Sequence, residues 1–403
     1  MFHISKSKTL IDQRRVEKSC TSVLESASDD LTLQRENHIA YLIRALDTGL
    51  PGHYSHLDAS RAWVAYWVLQ SIDLLQVDSR SPAIESLLSG VVKFLAQCKV
   101  SSGGFGGGPL QSAHVLSTYA AVMALLIIGS EEAFACIDRT SIYNFFLSLK
   151  EPSGAFRVES DGEADVRVAY AVVAVCDILN ILSPEIRHGT ADFFRRCQSY
   201  EGGFSAEPGN EAHGGYTYCA LAGLAILGDS ELKHVNLISL LRWLQSRQTK
   251  IEGGFSGRTN KLVDGCYSFW QGACFPIVAH ALMNADTSKS EDGLNRESFM
   301  SDTLRLQKYI LACSQVNEGG FQDKPGAGRD FYHTCYCLSG LSIAQHYSMK
   351  HDDDTKKDIS EPRVFNVAEK NRLGETHPLY NIRKERVKFA KARFYNVQAE
   401  MKE

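Results

Sequence analysis

Asp264 and Cys266 stand two residues apart in the stretch KLVDGCYSFWQ, and His333 lies 67 positions after Cys266 in RDFYHTCY. A carboxylate, a thiolate and an imidazole are all zinc ligands, and three protein ligands leave the fourth tetrahedral position open. An open position is typical of catalytic rather than structural zinc. Asp-x-Cys is a weak motif by itself, so the hypothesis depends on whether the fold brings His333 to the same place.

An internal repeat makes that connection. A glycine pair followed by an aromatic residue recurs as GGF, and once as GAF, at intervals of 51, 48, 51 and 66 residues. The stretch PGHY, which ends at Tyr54, is a degenerate copy 51 residues further upstream. Periods near 50 residues indicate an array of supersecondary units. The repeated aromatics are Phe105, Phe156, Phe204, Phe255 and Phe321.

Each interval contains two apolar runs of helical length, one before the glycines and one after them, such as YNFFLSLK and VAYAVVAVCDIL. Glycine pairs end helices and turn the chain. The sequence therefore predicts an all-α protein of about six helical hairpins that closes into an α–α barrel, an α6/α6 toroid. The second helices, which are rich in aromatic residues, are expected to form the inner ring.

A polar residue recurs nine positions after each aromatic, at the predicted start of the inner helix; the first copy reaches Asp58 after only four. Aspartate is a good helix N-cap, so capping also explains the recurrence at any single copy. In a ring of hairpins, however, these helix starts all face one mouth. Neighbouring copies would then bring Asp264, Cys266 and His333 together. The recurring residues are His114, Asp165, His213, Asp264 and Asp330.

Composition limits the class of protein. The chain has 403 residues, 44% of them hydrophobic, and a net charge of −4, which gives no general reason to expect nucleic acid. Eleven cysteines and an opening without an apolar secretory core predict the cytoplasm. The longest apolar run, residues 119–129, is too short to span a bilayer. We expect a polar tail over residues 1–38, the barrel over 39–348, and a linker with a basic arm over 349–403.

The repeats and the long motifs KLVDGCYSFWQ, EAHGGYTYCAL and RDFYHTCYCLSGLSIAQH resemble the β subunits of protein prenyltransferases, most closely those that transfer farnesyl. The resemblance covers residues 39–348 and the HPLYNI stretch of the tail. It implies an α–α barrel that works as an obligate heterodimer with a helical α subunit. The implied reaction moves farnesyl from farnesyl diphosphate to the cysteine thiol of a C-terminal CaaX motif, on proteins such as Ras-like small GTPases.

The same resemblance implies roles for individual residues. One zinc ion would be bound by Asp264, Cys266 and His333, with Tyr267 as a further catalytic residue, and the acceptor thiol would take the open position as a thiolate. Magnesium would bind near Asp323, where a carboxylate can share a hard cation with phosphate oxygens. The diphosphate, which needs positive charge as its bond to carbon breaks, would be held by His213, Arg258, Lys261 and Tyr267.

The resemblance also implies two linings. The isoprenoid pocket would be lined by Trp63, Tyr119, Arg167, Tyr170, Tyr216, Cys219 and Trp270. The acceptor peptide would contact Trp63, Trp67, His114, Glu163, Arg167 and Tyr332.

Several of these groups have a plainer structural interpretation. Arg258 and Lys261 also suit a solvated loop, and an aromatic stripe at helical spacing is often ordinary core. Arg167 with Glu163 would also make a buried structural ion pair. Leu116 and Ser117 replace residues that are usually small or proline in the family's peptide pocket, so the preference for the acceptor's last residue stays open.

Three alternative functions compete with farnesyl transfer. A type I geranylgeranyltransferase β subunit would use a 20-carbon lipid, but Trp63 and Tyr332 add bulk against it, with Tyr119 beside Trp63 at the same depth. A terpene cyclase shares the barrel but needs a DxDD or DDxxD cluster, and the one acidic run, residues 352–354, lies in the linker. A non-catalytic barrel that serves as a binding module would not need the Asp-Cys-His set, and would contain no zinc.

Overall fold

The computed structural model describes residues 7–27, 31–284, 301–347, 363–365 and 368–400. Within these ranges the regular structure is helical, and the β-bridges are isolated pairs in the turns. Inner and outer helices alternate along the chain as six hairpins, as predicted. Most of the linker expected after residue 348 lies outside the described residues.

Inner helices such as those over Val115–Ile128 and Val166–Ile178 bury nearly all of their side chains, which explains why their sequences are apolar on every face. Each packs beside the next, and α17 packs against α3, so the ring is closed. The inner helices are α3 (Arg61–Leu74), α5 (Val115–Ile128), α8 (Val166–Ile178), α11 (Gly214–Leu227), α14 with α15 (Tyr267–Trp270 and Cys274–Asn284) and α17 (Phe331–His346).

The outer helices present one apolar side to the inner ring. They are α2 (Arg35–Asp47), α4 (Pro82–Gln97), α7 (Arg139–Ser148), α10 (Thr190–Arg196), α13 (Leu237–Arg247) and α16 (Thr303–Tyr309), which a π-helical turn, Ile310–Ser314, extends. The remaining helices are α1 (Lys8–Ser26), α6 (Glu131–Ala135), α9 (Pro184–Arg187), α12 (Asp229–Leu232), α18 (Ala368–Asn371) and α19 (Lys384–Glu400), with a 3₁₀ helix at Gly52–Ser60.

The inner helix of the fifth hairpin is broken, whereas the sequence suggested a single apolar run from Ser268 onward. A β-carbon on Gly272 would collide with the Ser268 carbonyl, and Pro276 has no N–H to donate to the preceding turn. The break separates a short helix, α14, from α15, so α14 follows its own direction next to the mouth.

In four of the turns a glycine lies against the next outer helix around the ring. A β-carbon at these glycines would collide with a backbone carbonyl of that helix or of the residue just before it, and their φ angles are positive, between +90° and +108°. Glycine is therefore required twice over, by space and by backbone conformation. The last pair joins the sixth turn to α2 and closes the ring. The pairs are Gly103–Ser141, Gly154–Gly189, Gly202–Ser239 and Gly319–Asn37.

A glutamine clamp, formed by Gln198, Gln248 and Gln315, reinforces this contact. Each side-chain amide accepts from a backbone N–H and donates to a backbone carbonyl at the start of the next outer helix, at 2.8–3.1 Å. The amide thus pairs with the chain as a β-strand neighbour would. Lys150 takes the same position in the third hairpin and donates to the Thr190 hydroxyl at 2.7 Å.

The two ends of the chain attach to the barrel. Helix α1 buries Cys20 and packs against the π-helical turn of the sixth hairpin. The basic arm, α19, packs on α5 and α8. Just before it, three carbonyls of the tail accept hydrogen bonds from inner-ring hydroxyls, so the tail enters the ring. These bonds are Tyr170 to Leu379 at 2.8 Å, Tyr119 to Tyr380 at 3.0 Å and Tyr66 to Asn381 at 2.7 Å.

We predict that Gly202→Ala destabilises the protein far more than Gly209→Ala. Both glycines have positive φ, +106° and +89°, but only a β-carbon at Gly202 meets the next helix, while at Gly209 nothing lies within 4 Å. The backbone cost of about 1 kcal/mol is shared, and overpacking adds roughly 1–3 kcal/mol at Gly202. Urea unfolding midpoints measure the difference. Equal losses would show that the close contact contributes nothing.

Candidate active site

Asp264, Cys266 and His333 lie together at the mouth of the barrel, with one ligand atom from each within 4.8 Å of the others. Asp264 and Cys266 directly precede α14, and His333 is in the first turn of α17. Position nine of the repeat fixes this arrangement, because the Asp264 N–H donates to the carbonyl of Phe255 at 3.0 Å. The neighbouring hairpins thus bring the three predicted ligands together, as the repeat predicts.

Two glycines let these hairpins approach. A β-carbon on Gly265, between Asp264 and Cys266, would lie 2.6 Å from Sγ of Cys337 in α17. One on Gly340 would collide with Ser268 in α14. The separation of the ligands therefore depends on bare backbone at the α14–α17 contact.

Asp330 orients the imidazole of His333. Its two carboxylate oxygens accept from His333 Nδ1 at 2.7 Å and from the His333 backbone N–H at 2.6 Å. Nε2 then points to the ligand cluster, where it lies 3.2 Å from an Asp264 oxygen and, among the described residues, makes no hydrogen bond. A carboxylate on the far nitrogen and an unbonded near nitrogen are typical of a metal-binding histidine.

The protonation states of two of the three groups, His333 and Cys266, also suit a site for a cation. Burial alone would lower the pKa of His333, but Asp264 and Asp330 outweigh it and raise that pKa to about 10. Burial and the neighbouring Asp264 carboxylate raise the pKa of the Cys266 thiol well above its usual value. Without a cation the set therefore holds protons that a metal displaces on binding. The donors, nitrogen, sulfur and oxygen, are those that zinc takes.

A cavity of about 400 Å³ opens beside this cluster, within the usual range of small-molecule sites. Its wall is mostly aromatic, and the inner helices supply nearly all of it. The cavity brings together every residue predicted for the isoprenoid pocket and several predicted for the diphosphate and the peptide. The predicted residues that line it are Trp63, Trp67, Tyr119, Arg167, Tyr170, His213, Tyr216, Cys219, Tyr267, Trp270 and Tyr332.

His213 and Tyr267 form one hydrogen-bonded pair in the wall. The Gly215 N–H donates to Nδ1 of His213, so in the neutral imidazole the proton is on Nε2, which donates to the Tyr267 hydroxyl oxygen at 3.0 Å. Burial, together with Arg258 and Arg167, lowers the pKa of His213 to about 4. In the chain alone His213 is therefore neutral near pH 7 and leaves the Tyr267 O–H free to donate. Its contact with a diphosphate stays a prediction.

The carboxylate that pairs with Arg167 is Asp165, not Glu163. Arg167 forms a two-pronged ion pair with the buried Asp165, the N-cap of α8, at 2.6–3.2 Å. Glu163 is exposed, so the interpretation of Arg167 and Glu163 as a buried ion pair is wrong. The guanidinium also lies 5.6 Å from the ring of Tyr216, which keeps it at the cavity wall.

The other predicted charged residues lie outside the cavity lining. Arg258 pairs with Glu211 at 3.2 Å, and Lys261 is exposed. The Asp323 carboxylate pairs with its neighbour Lys324, while its carbonyl accepts from the Gly265 N–H at 2.7 Å. His114 is half-buried, and burial lowers its pKa.

Sequence reasoning missed some residues of the site. Asp330 appeared only as a repeat position, although its spacing three residues before His333 on a helix start was the available signal. Tyr218, two residues after Tyr216, and Tyr336, one turn after Tyr332, also line the cavity. Asn381 also lines it, and nothing in HPLYNI indicated that the tail reaches the cavity.

Comparison with known proteins agrees with this geometry. Residues 33–382 match the family model of the prenyltransferase alpha-alpha toroid domain. The chain is 41% identical to the protein farnesyltransferase subunit beta of Schizosaccharomyces pombe, over 93% of each chain. It is 40% identical to the Arabidopsis thaliana subunit over 81% of this chain and 76% of that one. The chain belongs to the protein farnesyltransferase β-subunit family.

A solved structure extends the comparison within this family's fold. Candida albicans protein geranylgeranyltransferase-I complexed with GGPP aligns with a TM-score of 0.68 over 90% of this chain and 99% of that one. At 22% identity it supports the α–α toroid and no more. Within the described part of this chain, no helix is long and apolar enough to cross a bilayer.

We predict that Asp330→Ala weakens zinc binding by about 10- to 100-fold, because His333 loses the partner that fixes its tautomer and ring orientation. Asp138→Ala is the matched control, since Asp138 also caps a helix, but that helix, α7, is an outer helix of another hairpin. Chelator competition gives the zinc affinity and circular dichroism checks the fold. An Asp330→Ala variant that binds zinc like the control would rule out this role.

Proposed function

We propose that this chain is the catalytic β subunit of a heterodimeric protein farnesyltransferase. It would transfer farnesyl from farnesyl diphosphate to the cysteine thiol of a C-terminal CaaX motif, on proteins such as Ras-like small GTPases. The observation that carries the proposal is the Asp264–Cys266–His333 cluster at the mouth of a cavity lined by aromatic side chains. The names of its relatives support the choice of lipid.

The two halves of the site suit the two substrates. Transfer of an apolar isoprenoid from water into the aromatic cavity lowers the free energy. Its diphosphate would stay at the polar mouth, where the Tyr267 hydroxyl can donate to it and the Arg167 guanidinium lines the wall. The acceptor peptide would enter beside Trp67 and Tyr332, next to the ligand cluster.

Zinc on Asp264, Cys266 and His333 would hold the acceptor sulfur as a thiolate at neutral pH, where a free thiol is mostly protonated. The chain's own part is orientation. Asp330 fixes the His333 ring, and the Cys266 backbone N–H donates to Asp264 at 2.9 Å, which fixes that carboxylate. The ring of Tyr332, which lines the cavity, contacts the ring of His333 edge-on at 5.1 Å and so connects the aromatic wall to the cluster.

The charges of the mouth favour an obligate partner. With His213 neutral, Arg258 and Lys261 are the remaining cations of the predicted diphosphate set, and Arg258 is already paired with Glu211. A leaving diphosphate needs more positive charge than this. We propose that the α subunit supplies side chains there and that Mg²⁺ binds near Asp323. Asp323 would first have to release Lys324.

A cytoplasmic location belongs to the same proposal. All eleven cysteines are free thiols, and ten of them are buried. Such usage is typical of a reducing compartment.

We predict that the chain farnesylates a CaaX peptide only when it is co-expressed with an α subunit, and that Mg²⁺ increases the rate. Cys266→Ala should lose zinc and activity but keep its fold, since the core lies elsewhere. Cys136→Ala, a half-buried cysteine near the far end of the barrel, is the control. Farnesyl incorporation and zinc content are measured together. Stoichiometric zinc in Cys266→Ala, or full activity of the chain alone, would contradict the proposal.

We also predict that Trp63→Thr shifts the donor preference toward the 20-carbon diphosphate. The rings of Trp63 and Tyr119 lie 5.8 Å apart in the cavity wall and occupy space that a fourth isoprene unit needs. Burying five more carbons is worth several kcal/mol at roughly 0.8 kcal/mol per methylene-sized group. The ratio of kcat/KM for the two donors measures the shift. A variant with the wild-type ratio would show that Trp63 does not limit length.

A further inference from the structure

The C-terminal segment closes the lipid cavity from the end opposite the mouth. The Gly374 N–H donates to the carbonyl of Leu74, where α3 ends, and the Tyr380 hydroxyl donates to Asp177 near the end of α8 at 2.5 Å. From there the segment runs inward until the Tyr66 hydroxyl holds the Asn381 carbonyl. Among the described residues that line the cavity, Asn381 is the one contributed by this segment.

Asn381 sits at the end of a buried polar chain. Gln70 donates to the Thr376 hydroxyl at 3.2 Å, and that hydroxyl donates to Oδ1 of Asn381 at 3.4 Å. All three residues are buried. Two atoms of this chain, Oε1 of Gln70 and Nδ2 of Asn381, have no hydrogen-bond partner within the described part of the protein.

Unpartnered buried acceptors and donors of this kind are the groups that ordered water satisfies. A hydrocarbon chain satisfies neither, and an apolar group pressed against a buried amide leaves the cost of desolvation uncompensated. An aromatic tube that ends on such a chain therefore accepts a lipid up to a certain depth and resists one that reaches further.

The backbone of Asn381 is specialised for this position. Its φ is +50°, in the left-handed region that asparagine and glycine adopt more readily than other residues. The turn directs the chain out again, where the His377 N–H and the Ile382 carbonyl pair at 2.8 Å. The backbone hydrogen bonds of the tail and the Tyr66 hydroxyl together determine that Asn381 is the tail residue that meets the cavity.

We infer that Asn381, held by Gln70 through Thr376, is a specificity-determining residue that forms a polar floor and limits the length of the isoprenoid. This inference rests on the proposed lipid transfer and adds to it a determinant distinct from the side wall at Trp63. A 15-carbon chain ends above the floor, whereas a 20-carbon chain has to displace what satisfies the amide.

The test is Asn381→Gly in the complex with the α subunit. Glycine keeps the positive φ and removes the amide, so the floor becomes deeper without backbone strain. We expect kcat/KM for geranylgeranyl diphosphate, relative to farnesyl diphosphate, to rise by about tenfold, the lower end of what a methylene-sized change gives in an apolar pocket. Asn180→Gly is the matched control, because Asn180 has φ +56° but follows α8 outside the cavity lining. Its ratio should stay at the wild-type value.

Two further variants make the result decisive. Asn381→Asp keeps the volume and the polarity of the floor, so its ratio should not rise. A rise as large as that of the glycine variant would mean that the tail has merely loosened, and would overturn the inference. If Asn381→Gly does not assemble, Asn381→Ser shortens the same side chain, and an unchanged ratio in either folded variant also overturns it.

Direct binding separates this inference from the proposed function. The affinities of the two diphosphates for the complex report the floor even without turnover, and their ratio should follow the kinetic one. A wild-type complex that binds farnesyl diphosphate but transfers it to no CaaX peptide would contradict the proposed reaction alone. Equal changes in both affinities on Asn381→Gly would contradict the floor alone.

Discussion

Close contact between a glycine turn and the next outer helix, made in four of the turns, is the constraint on which the ring depends. At Gly103, Gly154, Gly202 and Gly319 the backbone conformation and the lack of space exclude other residues, and the last of these contacts joins the sixth turn to α2. Because these turns are held in the same way, the inner helices that follow them begin at one mouth of the barrel. The mouth, and therefore the ligand cluster, follows from that regularity.

The chemistry sits where the regular pattern is modified. In the fifth hairpin the inner helix breaks at Gly272, and a short α14 follows Cys266, while Gly265 allows Cys337 of α17 to pack directly behind the ligands. In the sixth hairpin, Asp330 does at once what aspartates do elsewhere in the ring, capping a helix, and what a metal site requires, orienting His333. Asp330 thus both caps α17 and orients the imidazole of His333.

The features that could be predicted from the sequence are those that recur with the repeat. The barrel, the mouth and the grouping of Asp264, Cys266 and His333 depend on repeat position, which is visible in the sequence. The neutral state of His213 depends on burial and on Arg167 and Arg258 from other hairpins, and the choice of Asp165 over Glu163 depends on which carboxylate faces inward. The tail has no period, so its place beneath the cavity could not be read from HPLYNI.

The contact between the first hairpin and the last part of the chain, which closes the ring, has a consequence for synthesis on the ribosome. The Gln34 N–H pairs with Gln315, 281 residues later, and the Leu33 N–H pairs with Asn371, 338 residues later. At about 5–20 residues per second, the first hairpin waits on the order of 15 to 70 seconds for these partners. During that interval the apolar edges of α2 and α3 have no neighbour from the sixth hairpin. Protection of a nascent, unclosed ring is therefore a demand that this architecture places on the cell.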